Sequence, residues 1–309
     1  MFRQIRSRYI VIAAIAYSAL VVVASFHFNL SLSPDRVVVL LLIIGLCTGR
    51  ARLFLKDWSL FLVVLLAWQV LSGYSRHLGH FKPHITEMIV ADRAMFFGHL
   101  PTIWLQHHFF HPGHPSWYDI VATVLYSLHF VMPIAVAFVL WQWRRPVFVQ
   151  YMRAFVLLAF AGFATYVLFP AAPPWLAAKW HYLPHIARIT QAGYHFFGGK
   201  VSLSALYHFM LHHGGYDLVA AMPSEHAAFP FLGFLYLRQV WPRWSWVLFP
   251  YCVAVWVAVI YLGEHYATDV IAGIAYAAAA YVVVRGLSSR RPRKESPELE
   301  AAASGSLTA

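Results

Sequence analysis

His265 and Asp269 stand four residues apart in YLGEHYATD, the stretch from Tyr261 to Asp269, where a long apolar run begins. That spacing is about one helical turn, so imidazole and carboxylate fall on one face and can hydrogen-bond. A carboxylate behind an imidazole fixes its tautomer and supports the charge it gains as nucleophile or base. Upstream, AAMPSEHAAF puts His226 just beyond a Pro-Ser turn, again at the head of an apolar run. Helix N-termini offer free N–H groups and positive potential, which suits an anionic phosphate. Two histidines at the mouths of two helices therefore point to phosphoryl transfer, with one imidazole to attack, one to protonate the leaving oxygen, and cations for the equatorial oxygens.

The elements that carry these residues are membrane spans. The chain is 61% hydrophobic and 11% charged, with a mean hydropathy of +0.61, which is far from a soluble domain of this length. Aromatics make up 17% and include 12 Trp, most of them near the ends of apolar runs, as interfacial belts require. The net charge of +11 flanks hydrophobic spans, so it reads as topology and anionic-lipid contact, with no nucleic-acid partner. Cys47 and Cys252 both lie in apolar runs, which excludes a disulfide framework or a cysteine zinc cluster.

The expected spans are Tyr9 to Phe26, Pro34 to Gly49, Trp58 to Tyr74, Tyr118 to Trp143, Val147 to Phe169, His226 to Trp241, Trp244 to Leu262 and Ala267 to Val284. The fold class is all-α, a polytopic membrane helical bundle of about eight transmembrane helices. Two polar excursions, Ser75 to Trp117 and Pro170 to Asp217, mix Gly, Pro and His with aromatics and read as interfacial helices in two outer loops. A single transmembrane catalytic domain covers 1–286, with its core at 91–286, and 287–309 is a disordered cytoplasmic tail. Lys and Arg gather on the short loops of the side carrying both termini, which predicts cytoplasmic termini in a cytoplasmic membrane. Both histidines and both excursions then face the extracytoplasmic side.

These motifs resemble the type 2 phosphatidic acid phosphatase superfamily, whose second and third motifs read PSGH and SRxxxxxHxxxD. PSEH at 223–226 and HYATD at 265–269 are similar to their cores. The resemblance implies that His265 attacks phosphorus, Asp269 orients it, His226 protonates the leaving group and Ser224 contacts phosphate, without a metal or another cofactor. The chain departs from the pattern where Ala258-Val259 replaces Ser-Arg, where Glu225 replaces glycine, and in lacking any K-x6-RP. MPSxH, YLxxHYxxD, FPAAPPW at 169–175, YSLHF-x-x-P at 126–133 and DRAMFFGHLPT at 92–102 instead resemble the inositol phosphorylceramide synthase branch. That branch implies a lipid phosphotransferase that moves a phospho-headgroup such as phosphoinositol from a phospholipid donor to a lipid or polyol acceptor. A lipid phosphate or polyprenyl diphosphate phosphatase is the alternative within the same chemistry.

With the usual arginine absent, other outer-side cations must neutralise the phosphate. Arg188 and Arg93 are the first candidates, with Lys179 and Lys200 behind them, against the plainer reading of cations snorkelling to headgroups. Tyr126 and His129, three apart on one helix, either face the site or pack. Glu225 and Glu264 each precede a candidate histidine. They are either solvated helix-start residues or groups that recognise acceptor hydroxyls or raise the pKa of the neighbouring imidazole. HHFFHPGH at 107–114 reads as an aromatic headgroup-level loop, because Pro112 and Gly113 break any regular ligand spacing. A proton-coupled transporter would spread ionisable groups through the membrane's depth, whereas here they cluster at one mouth.

Overall fold

In a computed structural model the described residues are 52–59, 61, 64, 82–128, 131–190 and 218–289. The expected spans at 9–26 and 34–49, most of the one at 58–74, His129, Lys200 and residues 290–309 of the tail lie outside them. The described chain is helical, with only isolated bridges of extended backbone. In chain order the helices are α1 (Thr86–Met95), α2 (Pro101–Phe109), α3 (Trp117–Ser127), α4 (Met132–Trp143), α5 (Arg145–Leu168), α6 (Pro174–Lys179), α7 (Glu225–Val240), α8 (Leu248–Tyr261) and α9 (Ala267–Ser289). A 3-10 turn, Trp244–Val247, leads into α8.

Three of these are long and apolar enough to cross a membrane, namely Arg145–Leu168, Trp244–Tyr261 and Ala267–Ser289. Counting α3 and α4 as one broken span makes four among the described residues. The single span expected over Tyr118 to Trp143 is thus two helices meeting at 56°. Pro133 stands in the first turn of the second half, where its missing N–H is tolerated, whereas inside one continuous helix it would remove a backbone hydrogen bond. The chain also turns at Arg144 as expected, with α4 ending at Trp143 and α5 starting at Arg145, followed by Pro146 in the first turn where its missing N–H costs nothing. Asp57 pins this turn, accepting from Arg145 Nη2 at 2.5 Å, Arg145 Nε at 2.6 Å and Trp141 Nε1 at 2.9 Å.

α7 is the hub, in contact with α4, α5, α8 and α9. It has 16 residues, about 24 Å at the usual rise, shorter than a typical hydrocarbon core. Its inner face packs Phe229 on Phe155 of α5, ring centroids 4.4 Å apart, and Tyr236 edge-on to Tyr151. Small residues bring the neighbouring backbones close. A side chain at Gly273 of α9 would run into the Ser224 carbonyl, and one at Gly162 of α5 would lie 2.7 Å from Glu225 Oε1. α1 packs against α9 and α2 against α8, so the short helices of the first excursion sit over the bundle end where α7 and α9 begin and α8 ends.

Candidate active site

α7 starts with Ser224 as N-cap, its hydroxyl accepting from Ala227 N at 3.3 Å. The Ser224 N–H donates to the Asp269 carbonyl at 2.9 Å and the Tyr166 hydroxyl to the Pro223 carbonyl at 2.9 Å, so the PSEH turn is tied to both α9 and α5. Pro230, one turn after His226, has no N–H to give the His226 carbonyl. His265 lies in the turn between α8 and α9, because α9 begins only at Ala267.

The two imidazoles meet directly, with His265 Nε2 and His226 Nδ1 3.2 Å apart. The other nitrogen of His265, Nδ1, donates to the Ala221 carbonyl at 2.9 Å. A carbonyl only accepts, so Nδ1 carries a proton, and in the neutral imidazole Nε2 is then the nitrogen with the lone pair. Tyr126 stacks on His226 at 4.2 Å and 14°, a face-on contact that supports an imidazolium. His265 is buried and His226 half-buried, which leaves the latter as the open side of the pair.

Asp269 takes a different part from the hydrogen bond its spacing suggested. Its Oδ2 lies 3.6 Å from His265 Nδ1 and accepts instead from Tyr266 N at 2.8 Å, closing the start of α9. The one-turn geometry fails because His265 precedes the helix. Asp269 therefore acts on the imidazole through space, in a buried position, while the backbone of Ala221 sets the tautomer. That backbone is itself fixed. Ala221 N donates to Ala171 O at 3.1 Å, Ala172 N to His84 O at 3.1 Å and His84 N to Pro170 O at 2.7 Å, so the Ala171-Ala172 pair of FPAAPPW joins three segments.

The donors at the start of α9 are also taken. Asp92 of α1, wholly buried, accepts from Ala267 N at 3.1 Å, from Thr268 N at 2.8 Å and from the Thr268 hydroxyl. The expectation that this helix end holds phosphate is thereby corrected, since carboxylates occupy the N–H groups of Tyr266, Ala267 and Thr268. Burial, with the Asp269 and Asp92 carboxylates close by, pushes the Tyr266 phenol well above its usual range and keeps it neutral.

Neither glutamate is solvated. Glu225 is 5% exposed and faces Gly162, and its Oε1 has no hydrogen-bond partner among the described residues. Glu264, also 5% exposed, accepts from Arg188 Nε at 2.8 Å, Thr190 Oγ1 at 2.7 Å, Trp175 Nε1 at 3.1 Å and Arg188 Nη2 at 3.3 Å. Arg188 thus stands beside the residue preceding His265, while Arg93 and Lys179 are exposed in the last turns of α1 and α6. Asp92, Ala221, Trp175 and Thr190 are the site residues that sequence reasoning missed. DRAMFFGHLPT and FPAAPPW contained two of them, without any indication of which atoms they would reach.

A helical membrane bundle with a bonded histidine pair at one end defines a recognisable class. Residues 86–283 match the family model described as the PAP2 superfamily, more than half of the chain, and the chain belongs to that superfamily. Among curated proteins it is 27% identical over 175 residues to the inositol phosphorylceramide synthase catalytic subunit aur1 of Schizosaccharomyces pombe, covering 55% of this chain and 40% of that protein. It is 28% identical over 168 residues to the phosphoinositol dihydroceramide synthase of Bacteroides thetaiotaomicron, covering 52% and 53%. With the inositol phosphorylceramide synthase of Candida albicans it shares 26% over 164 residues, covering 50% and 33%. The matched region spans between a third and about half the length of these relatives. No solved structure matches the chain at a comparable level.

Proposed function

We propose that this protein is a membrane-embedded lipid phosphotransferase that moves a phospho-headgroup, of which phosphoinositol is the first choice, from a phospholipid to a hydroxyl acceptor through phosphohistidine. The observation that carries the reading is the imidazole pair, in which the Ala221 carbonyl holds the proton of His265 on Nδ1 so that Nε2 faces His226 as a lone pair. In the first step Nε2 attacks phosphorus, the bond from phosphorus to the diacylglycerol oxygen breaks, and His226 gives that oxygen a proton. In the second step His226 takes the proton of the acceptor hydroxyl, whose oxygen attacks phosphorus and expels His265 Nε2. Two nitrogens 3.2 Å apart leave no room for a phosphorus between them, so substrate entry must part the pair.

Arg188 is the proposed phosphate cation, with Arg93 and Lys179 at the rim. The names of the relatives favour an inositol-bearing headgroup and a ceramide-like acceptor. The outer-face assignment rests on the Lys and Arg bias together with about eight spans, counting those predicted in 9–74. Purified protein given phosphatidylinositol labelled in its phosphate, with and without ceramide, should form a labelled sphingolipid and diacylglycerol. Label trapped on His265 after an acid-free quench, and absent in His265→Ala, would support the intermediate. Release of inorganic phosphate from monoesters, with no transfer from phosphatidylinositol, would replace this reading with a phosphatase.

A further inference from the structure

We propose that Glu264 is a positioning residue that fixes Arg188 as a preset phosphate clamp and couples that clamp to His265; this rests on the phosphoryl-transfer reading above. An arginine at a membrane surface normally samples many rotamers and snorkels to headgroups. Here both oxygens of one buried carboxylate hold Nε and Nη2 of Arg188, and the guanidinium lies 4.2 Å over the Trp175 ring. Trp175 Nε1 and the Thr190 hydroxyl complete the shell of Glu264. A buried ion pair contributes little net stability, because desolvation offsets the Coulombic gain. Its effect is to aim a fork of N–H groups, the preorganisation that stabilises developing phosphoryl charge.

The coupling runs through the backbone. Glu264 N and His265 N both donate to the Val259 carbonyl at 3.2 Å, so carboxylate and nucleophile stand on one pinned dipeptide. Gln106 of α2 clamps the segment carrying Arg188 to the same turn, its Nε2 reaching the Ala187 and Tyr261 carbonyls at 2.9 Å each and its Oε1 accepting from Ala187 N at 2.9 Å. Gly263, with φ +79, lets the two segments touch, since a side chain there would meet the Ala187 carbonyl at 3.1 Å. The superfamily's arginine would fall at Val259, which is fully buried in an apolar cluster with Ala227, Val255 and Val270. That cluster has no place for a guanidinium, so the cation is supplied from another segment and held by the residue next to the nucleophile.

Orthovanadate, which adopts the five-coordinate geometry of the transferring phosphoryl group, tests the clamp without lipid turnover. With the full chain in detergent micelles and affinity read by calorimetry, Arg188→Ala and Glu264→Gln should each weaken vanadate binding about tenfold or more. The double variant should bind no more weakly than Arg188→Ala alone, since both changes remove one clamp. Near-wild-type vanadate affinity in Glu264→Gln, or losses that multiply in the double variant, would overturn the proposal. If Glu264→Gln fails to fold, Arg188→Lys decides, because a lysine keeps the charge without the bidentate fork; wild-type affinity there overturns it and a tenfold loss supports it. Vanadate that binds wild type and is lost in Glu264→Gln, in a protein that transfers no headgroup, would leave the clamp standing and remove the substrate reading. Absence of vanadate binding by wild type would overturn the clamp.

Discussion

His265 has one nitrogen committed to a backbone carbonyl and one to a second histidine, so its tautomer does not depend on Asp269. A carboxylate that sets the tautomer of a catalytic histidine is worth about 10⁴ in turnover when replaced by its amide. Asp269→Asn in this protein should cost less, on the order of tenfold to a hundredfold in kcat, because Ala221 still holds the Nδ1 proton and only the through-space support is lost. His265→Ala should remove transfer altogether. Equal losses in the two variants, measured as single-turnover headgroup transfer, would mean that Asp269 closes onto Nδ1 once substrate is bound.

At the scale of elements, the start of α9 depends on a carboxylate from α1. Asp92→Asn places an amide N–H₂ among groups that themselves donate, two backbone N–H groups and the Thr268 hydroxyl. Loss of a helix N-cap costs about 1–2 kcal/mol, so a lowered thermal midpoint and a reduced kcat should appear together, whereas Asp92→Glu should recover part of both. The contacts of α7 make a second test. Gly273→Ala drives a methyl into the Ser224 backbone, whereas Gly162→Ala meets the end of the Glu225 side chain, which has rotamers to move through. Overpacking typically costs about 1–3 kcal/mol, and the Gly273 variant should lie at the upper end and carry the larger activity loss. A Gly162→Ala protein less stable than Gly273→Ala would contradict this ranking of the two interfaces.

For the whole molecule, the charge bias predicts that Lys179 lies outside and Arg243 inside, and both are exposed. In a background without Cys47 and Cys252, a membrane-impermeant thiol reagent added to intact cells should label Lys179→Cys and leave Arg243→Cys untouched until lysis. Labelling of both from one side would refute the topology. The sequence alone determined the membrane class, because hydropathy is a sum over residues and needs no partner. It also marked His226 and His265 as candidates and placed the turn at 144–146, because PSEH, HYATD and a proline in the first turn of a helix are local signals. The break between α3 and α4 was less legible, since it falls within a continuous apolar run, between Ser127 and the Met132-Pro133 start of the next helix. Tertiary structure alone decided which atoms meet. The partner of His265 is a carbonyl 44 residues away, and Asp92 finds α9 across 175 residues. Glu264 finds Arg188 across 76. Such contacts follow from how helices and loops pack in space, and spacing along the chain carries no record of them. YLGEHYATD marked His265 as the candidate nucleophile by its pattern, while the fold paired the carboxylate of Glu264 with a cation from another segment.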